Sequence, residues 1–132
     1  MKRLSTILVG VAALVACTSS VASGGGKKEI PAVKETGAAV DCLQTFQIRE
    51  SRVRSDQVID FRTNGKKWYR NTLPYSCPSL GFEERFSYKT SINQLCSTDI
   101  ITVLQSAGSG LSQGASCGLG KFQPVELLPK AK

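Results

Sequence analysis

The spacing of the cysteines constrains this chain more than any other feature. Four of its five cysteines lie between residues 42 and 117, and the fifth, Cys17, stands near the N-terminus. The four include no Cys-x-x-Cys pair and lack the close pairs of a zinc knuckle, so neither a thioredoxin-like dithiol nor a metal site is predicted. In an exported protein the expected state is two structural disulfides. Sequence leaves three pairings open, and the one we adopt for testing is Cys42–Cys96 with Cys77–Cys117.

The N-terminus indicates export. Met1–Ala16 starts with a basic pair and continues as an apolar run of about a dozen residues, which is typical of a secretory signal peptide. Leu14-Val15-Ala16-Cys17 resembles a bacterial lipobox, in which the cysteine is acylated and becomes the new N-terminus. Thr18 stands where lipoproteins kept in the inner membrane usually carry Asp, which favours the outer membrane.

The same region leaves two alternatives open, an uncleaved anchor helix and a second cleavage site, and sets the domain boundaries. Ser20-Val21-Ala22 fits the small-x-small rule, so cleavage after Ala22 would give a soluble periplasmic protein instead. On the lipobox interpretation, residues 1–16 are the signal peptide and residues 17–40, rich in small and polar side chains, are the lipidated Cys17 and a flexible tether. The remaining length accommodates one domain, residues 41–128, followed by a basic tail at 129–132.

The strongest signal of secondary structure is a β-hairpin. Val58–Thr63 and Lys66–Asn71 are strand-like segments, and Asn64-Gly65 between them favours a type I′ turn because both turn positions need positive φ. A two-residue turn would place Phe61 opposite Trp68. It therefore predicts an inward face that carries Ile59, Phe61 and Trp68.

The other segments also favour strands over helices. No window shows sustained helical periodicity, and only a short helix around Gly81–Arg85 is expected. Strands are predicted at Leu43–Ile48, Phe86–Thr90, Ile100–Leu104 and Lys121–Leu127. The predicted fold class is all-β: a small curled antiparallel sheet or partly open β-barrel of about five to six strands, stapled by disulfides because the core is modest.

Six short segments of the predicted domain together carry a likeness to a known family. They are Asp41-Cys42, Tyr69-Arg70-Asn71-Thr72-Leu73-Pro74, Cys77-Pro78-Ser79-Leu80, Phe86-Ser87-Tyr88, Leu95-Cys96-Ser97-Thr98-Asp99-Ile100-Ile101 and Ser116-Cys117-Gly118-Leu119-Gly120-Lys121-Phe122. They resemble an uncharacterised family of small exported proteins, a domain of unknown function found mostly in Gram-negative bacteria. The resemblance covers nearly all of residues 41–125 and implies export and a single domain, but no activity, substrate or catalytic residue.

No pattern of catalytic groups stands out in the sequence. The chain has no histidine, which removes the commonest general base, and no Ser-x-x-Lys. The glycine-rich segment Gly108–Gly114 lacks the residues of a phosphate-binding loop and is predicted to be a hairpin loop. We expect no enzyme activity, no cofactor and no metal site. Five carboxylates are expected to be solvated or to cap turns: Asp56, Asp60, Glu83, Glu84 and Asp99.

Basic residues concentrate around the predicted hairpin. The whole chain carries a formal charge of +7, and residues 49–70 hold seven basic against three acidic side chains, beside Trp68 and Tyr69. Such a composition is typical of an anion-binding surface, although an ordinary solvated sheet face is the alternative. The possible anion-binding residues are Arg52, Arg54, Arg62, Lys66, Lys67 and Arg70.

Compartment and chemistry together define the expected function. We expect an exported cell-envelope lipoprotein, anchored on the periplasmic side of a membrane, that acts as a non-enzymatic binding or structural module. Its expected partners are the membrane, through the lipid, and an envelope protein or an anionic lipid or glycan; nucleic acid is not expected in that compartment. The alternatives are an anion-binding module that uses residues 49–70, and a secreted soluble enzyme or thiol oxidoreductase.

Overall fold

The computed structural model describes residues 29–90 and 92–130, and within them ten β-strands form three antiparallel sheets. In chain order the strands are β1 (Val33–Glu35), β2 (Cys42–Gln44), β3 (Ile48–Val53), β4 (Val58–Thr63), β5 (Trp68–Thr72), β6 (Phe86–Tyr88), β7 (Gln94–Cys96), β8 (Ile100–Ala107), β9 (Gly110–Gly118) and β10 (Phe122–Leu127). A one-turn helix, α1 (Leu80–Glu83), precedes β6, and 3₁₀ turns occupy Thr45–Gln47 and Asn64–Lys66. The signal peptide and Cys17 lie outside the described residues.

The largest sheet has five strands in the order β1-β10-β5-β4-β3. Strands β6-β8-β9 form the second sheet, and β2 pairs with β7 as a two-stranded ribbon. The all-β class is confirmed, and the sheets do not close into a barrel. The described residues hold more strands than the five or six expected, because three-residue strands such as β1 and β7 are too short to show an alternating pattern.

The predicted hairpin exists, but its predicted register is wrong. The N–H of Thr63 donates to the carbonyl of Lys67 at 2.8 Å, which leaves a three-residue loop, Asn64–Lys66, where two residues were expected. Gly65 and Lys66 both have positive φ, 76° and 61°. The extra loop residue shifts β5 by one position. Trp68 therefore lies opposite Arg62 instead of Phe61.

That shift changes which side chains reach the core. Tyr69, not Trp68, now lies opposite Phe61 and packs against the core. Asp60 faces the opposite side of the sheet, yet it is fully buried there, against the expectation of a solvated carboxylate. Ile59 and Phe61 are buried as predicted.

The core lies where the three sheets meet. Phe61 of β4 is fully buried there and makes edge-on ring contacts to Phe122 of β10 and Phe86 of β6, at centroid distances of 5.5 and 6.2 Å. Burying one such ring contributes about 2 kcal/mol. Further fully buried apolar side chains come from all three sheets and from α1 with the segment before it: Ile59, Leu73, Leu80, Leu95, Ile101 and Val103.

Both predicted disulfides are confirmed. Cys42 and Cys96 are directly opposite each other in β2 and β7, so their bond closes the ribbon. Cys77, which is fully buried, joins Cys117 of β9 and fixes the segment before α1 to the second sheet.

Several predicted elements differ from those observed. The strand expected at Leu43–Ile48 is split, because the 3₁₀ turn at Thr45–Gln47 separates β2 from β3. The glycine-rich Gly108–Gly114 is a loop only at Gly108-Ser109, and β9 starts at Gly110. The segment assigned to the tether contains β1, which pairs with β10, so the sheet includes residues before position 41. Among the described residues, no helix has the length and apolarity to cross a membrane.

Candidate functional site

Two of the six predicted anion-binding residues are committed to a buried ion cluster. Arg70 lies opposite Asp60 in the register of β5 and β4 and donates to both carboxylate oxygens, Nε to Oδ1 at 2.8 Å and Nη2 to Oδ2 at 3.0 Å. Arg54 donates from Nε to Oδ2 at 2.9 Å. The side chains of Arg54 and Arg70 are 17% and 14% exposed, and that of Asp60 is 0% exposed. These arginines compensate the charge of Asp60, since a buried carboxylate needs such partners.

Two more arginines share one glutamate on the same side of the sheet. Arg62 donates to Glu50 at 3.0 Å, and Arg52 donates to the other oxygen of that carboxylate. The hydrogen bond from Arg52, which has the larger effect, and the one from Arg62 hold the pKa of Glu50 below its ordinary value. Arg52 also lies over the ring of Trp68, with its guanidinium carbon 5.3 Å from the ring centroid.

The remaining two predicted residues are available to a ligand. Lys66 and Lys67 are exposed at the hairpin loop, and within residues 29–90 and 92–130 neither forms an ion pair. The six basic side chains are thus divided into a buried pair on Asp60, a pair on Glu50, and two lysines that form no ion pair with the part of the chain that the structure describes. Only the lysines combine exposure with an unbalanced charge.

An open groove of about 650 Å³ lies beside these lysines. We call it the hairpin groove. One wall is Lys66–Tyr69, and the others are the turn Thr36–Ala38 and the strand residues Pro124–Leu127. The turn is held in place because Thr36 N–H donates to the carbonyl of Pro124 at 3.0 Å, and Gln123 Nε2 donates to that of Gly37 at 2.7 Å.

The sequence did not predict that two of the three walls of the hairpin groove would lie beside the lysines. Thr36–Ala38 fell within the predicted tether, and Pro124–Leu127 was predicted only as part of the strand Lys121–Leu127. They meet because β1 pairs with β10 across some ninety positions of sequence, with Val33 opposite Leu127. The proximity of Trp68 and Tyr69 to the lysines was the one available signal.

The carboxylates proposed as turn caps play structural roles. Asp56 accepts from the N–H of Gly81 at 2.7 Å, which fixes the start of α1. Asp99 accepts from the N–H of Cys96 at 2.7 Å, as expected of a turn cap. Glu83 accepts from the N–H of Ser106 at 3.3 Å. In the described part of the chain, no three Cys, Asp or Glu residues gather as a metal site would require.

No protein-family model, curated protein or solved structure matches this chain. Its resemblance to an uncharacterised exported family therefore stays a prediction.

Proposed function

We propose that this protein is a lipoprotein of the bacterial cell envelope that binds an envelope component without catalysing a reaction. The observation that carries the proposal is the cysteine count. Cys42–Cys96 and Cys77–Cys117 use four of the five cysteines, which leaves Cys17 alone at the lipobox-like sequence. Two disulfides fit an oxidising, extracytoplasmic compartment. Acylation of Cys17 would anchor the chain on the periplasmic side of a membrane, and Thr18 favours the outer membrane.

The length of chain between Cys17 and β1 is consistent with a domain that stays close to its membrane. If Cys17 is acylated, residues 18–32 separate the lipid from β1. If this segment behaves as the flexible tether that its composition predicts, it would span about 20 Å, which would let the domain clear the headgroups yet keep it near the surface.

The experiment is the intact mass of the mature protein from a membrane fraction, alkylated with and without prior reduction. We expect a diacyl or triacyl adduct on Cys17 and no alkylation before reduction. Cys17→Ser is the matched control and should lose both the adduct and membrane retention. An unlipidated chain that starts at Ser23 would refute anchoring and leave the soluble periplasmic alternative.

The non-enzymatic part of the proposal rests on the state of the thiols and carboxylates. Every cysteine among the described residues is in a disulfide, so a thiol oxidoreductase would need one of these bonds to open. Alkylation of the native protein without reduction would contradict the proposal, as would turnover of an envelope substrate that is lost when one carboxylate is replaced.

A second candidate function is anion binding at the hairpin, which is favoured because neither Lys66 nor Lys67 has an ion-pair partner among the described residues. Arg62 is a poor test residue because its loss would disturb Glu50. We expect Lys66→Glu with Lys67→Glu to abolish cosedimentation with phosphatidylglycerol vesicles. Lys89→Glu, an exposed lysine away from the groove, should retain it. Equal binding by both variants would exclude the hairpin as the anion site.

A further inference from the structure

Strand β9 is an exposed edge of the second sheet. It pairs with β8 on one side, and within residues 29–90 and 92–130 no strand pairs with its other side. Its nine residues, Gly110–Gly118, include no charged side chain and no proline, and most of them are exposed. Proteins normally blunt such an edge with charge, proline or a short strand, because its free backbone groups are a template for another strand.

The other edges of the two larger sheets are blunted in this way. In the part of the chain that the structure describes, the edge strands β1 and β6 have three residues each. The remaining edge strand, β3, carries Arg49, Glu50 and Arg52 among its six residues. Only β9 is both long and uncharged, which indicates that this edge is open to pairing.

The register of β8 shows which backbone groups of β9 point away from the sheet. The N–H of Leu104 donates to the carbonyl of Arg85 at 3.0 Å, so the backbone groups of Leu104 face β6 and not β9. Its partner in β9, Gln113, therefore directs its own N–H and C=O outward. The same alternation applied to each pair of this ladder gives the outward residues Leu111, Gln113, Ser116 and Gly118. No backbone group within residues 29–90 and 92–130 bonds to them on that side.

A bulge gives these outward residues an uneven spacing. Where β8 has the single residue Val103, β9 has two, Gly114 and Ala115. The intervals between successive outward residues are therefore two, three and two positions. A regular extended peptide presents outward groups at every second position, so it cannot match all four residues.

A second copy of β9 does match them. The intervals are the same when read from either end, and their centre lies in the bulge. A two-fold axis at that point places Leu111 opposite Gly118 of the second copy, and Gln113 opposite Ser116. Each of these pairs would exchange two backbone hydrogen bonds, as in any antiparallel ladder.

The side chains on the outer face of the sheet are complementary in the same register. Ile100 and Leu111 lie on this face, opposite in direction to the buried Ile101, and are 59% and 56% exposed. Ile100 is paired with Gly118, where a Cβ would have no atom within 4 Å. The Leu111 side chain of a second copy, placed opposite Gly118, would occupy this space and cover Ile100.

We propose that β9 pairs with β9 of a second copy of this chain and joins the two three-stranded sheets into one continuous sheet. The absence of charge in β9 favours self-pairing, because like charges opposite each other would repel. A single pair of strands buries less area than a permanent dimer needs, so the association is reversible. It does not require the lipid at Cys17 and goes beyond the proposed function.

Sedimentation velocity over a series of protein concentrations tests the pairing. The mature chain is used with Cys17→Ser, so that an acyl group cannot itself drive association. We expect a reversible equilibrium of monomer and dimer with a dissociation constant on the order of 100 µM. A chain that stays monomeric up to about 1 mM overturns the proposal.

Amide hydrogen exchange locates the contact. The N–H groups of Gln113 and Ser116 should become protected as the protein concentration rises, since only the second copy bonds to them. The N–H of Ser112 faces β8 and is the internal control, because it should be protected at every concentration. Protection that rises with concentration at β1 or β3 in place of β9 overturns the proposal.

Two variants should prevent dimerisation and leave the ladder with β8 intact. Gln113→Pro removes an outward N–H, and an edge strand accepts proline where the missing N–H faces solvent. Leu111→Lys places two lysines in the symmetric contact and leaves the backbone unchanged. Each variant should weaken dimerisation at least about tenfold, because each substitution occurs twice in the dimer.

An exposed apolar residue elsewhere provides the matched control. Phe46, which is 65% exposed in the turn after β2, is replaced in Phe46→Lys, and this variant should dimerise like the native chain. Far-UV circular dichroism checks that each variant is folded, and Leu111→Lys decides the result if Gln113→Pro does not fold. A dimer of native strength in Leu111→Lys, or an equal loss in Phe46→Lys, overturns the proposal.

Discussion

Arg70 and Asp60 face each other on adjacent strands, and the guanidinium of Arg70 bonds to both oxygens of a carboxylate that no solvent reaches. Arg54 completes the cluster from the chain after β3. Two cations and one anion share this nearly dry position. The most basic segment of the sequence therefore contains a charge cluster that stabilises the sheet instead of binding a ligand.

Removal of the shared anion should be costly. Asp60→Asn would leave Arg54 and Arg70 without a counter-charge at 17% and 14% exposure. Breaking a buried ion pair from one side costs about 3–5 kcal/mol, and we expect a loss of at least about 3 kcal/mol in urea unfolding. Glu50→Gln, in the exposed cluster beside it, is the control and should shift the midpoint much less. Similar shifts in the two variants would show that burial of Asp60 is unimportant.

Gly120 should tolerate no side chain. A Cβ at this position would clash with the carbonyl oxygen of Thr72. Gly120 also exchanges hydrogen bonds with the buried Asn71 amide, at 2.7 and 2.9 Å. We expect Gly120→Ala to reduce stability by about 2 kcal/mol or more, because the backbones must separate.

A neighbouring glycine provides the matched comparison. A Cβ at Gly118 would have no atom within 4 Å, so Gly118→Ala should stay within about 0.5 kcal/mol of the native protein. Equal unfolding midpoints for the two alanine variants would contradict the close approach at Gly120.

The sequence predicted the position of the hairpin correctly but not its register. Asn64-Gly65 correctly located the turn, since Gly65 has φ of 76°. It did not reveal that Lys66 also takes positive φ, which lengthens the loop by one residue and moves Trp68 off the core face. Side chains alternate with period two, so a single loop residue reverses the face of every residue in β5.

The candidate site depended even more on long-range pairing. Lys66 and Lys67 were identified by composition, but so were four arginines that the structure pairs with Asp60 and Glu50. No feature of the neighbouring sequence shows that Lys67 is exposed whereas Arg70 is ion-paired. The difference arises from strand register, and the groove itself arises from the pairing of β1 with β10.

Both disulfides should contribute to stability, but unequally. They enclose sequence separations of 54 and 40 residues, and loop entropy assigns each about 4 kcal/mol. Cys77 is also fully buried, so its removal leaves a void in the core. We expect Cys77→Ala with Cys117→Ala to cost more in urea unfolding than Cys42→Ala with Cys96→Ala. The reverse order would mean that the ribbon of β2 and β7 matters more than the core contact.

Stability should fall in acid partly through Glu50. The pKa of this carboxyl is depressed below 4.5 by the hydrogen bonds from Arg52 and Arg62, which exist only in the folded chain. The folded state therefore binds fewer protons than the unfolded state, and the stabilisation is present above pH 4.5 and lost as pH falls through the lower, folded pKa. Urea midpoints measured from neutral pH downward should separate the native protein from Glu50→Gln at neutral pH and converge in acid. High salt should narrow the gap at neutral pH, because these side chains are partly exposed. A gap that stays constant from neutral pH to strong acid would show that the ionised form of Glu50 does not stabilise the sheet.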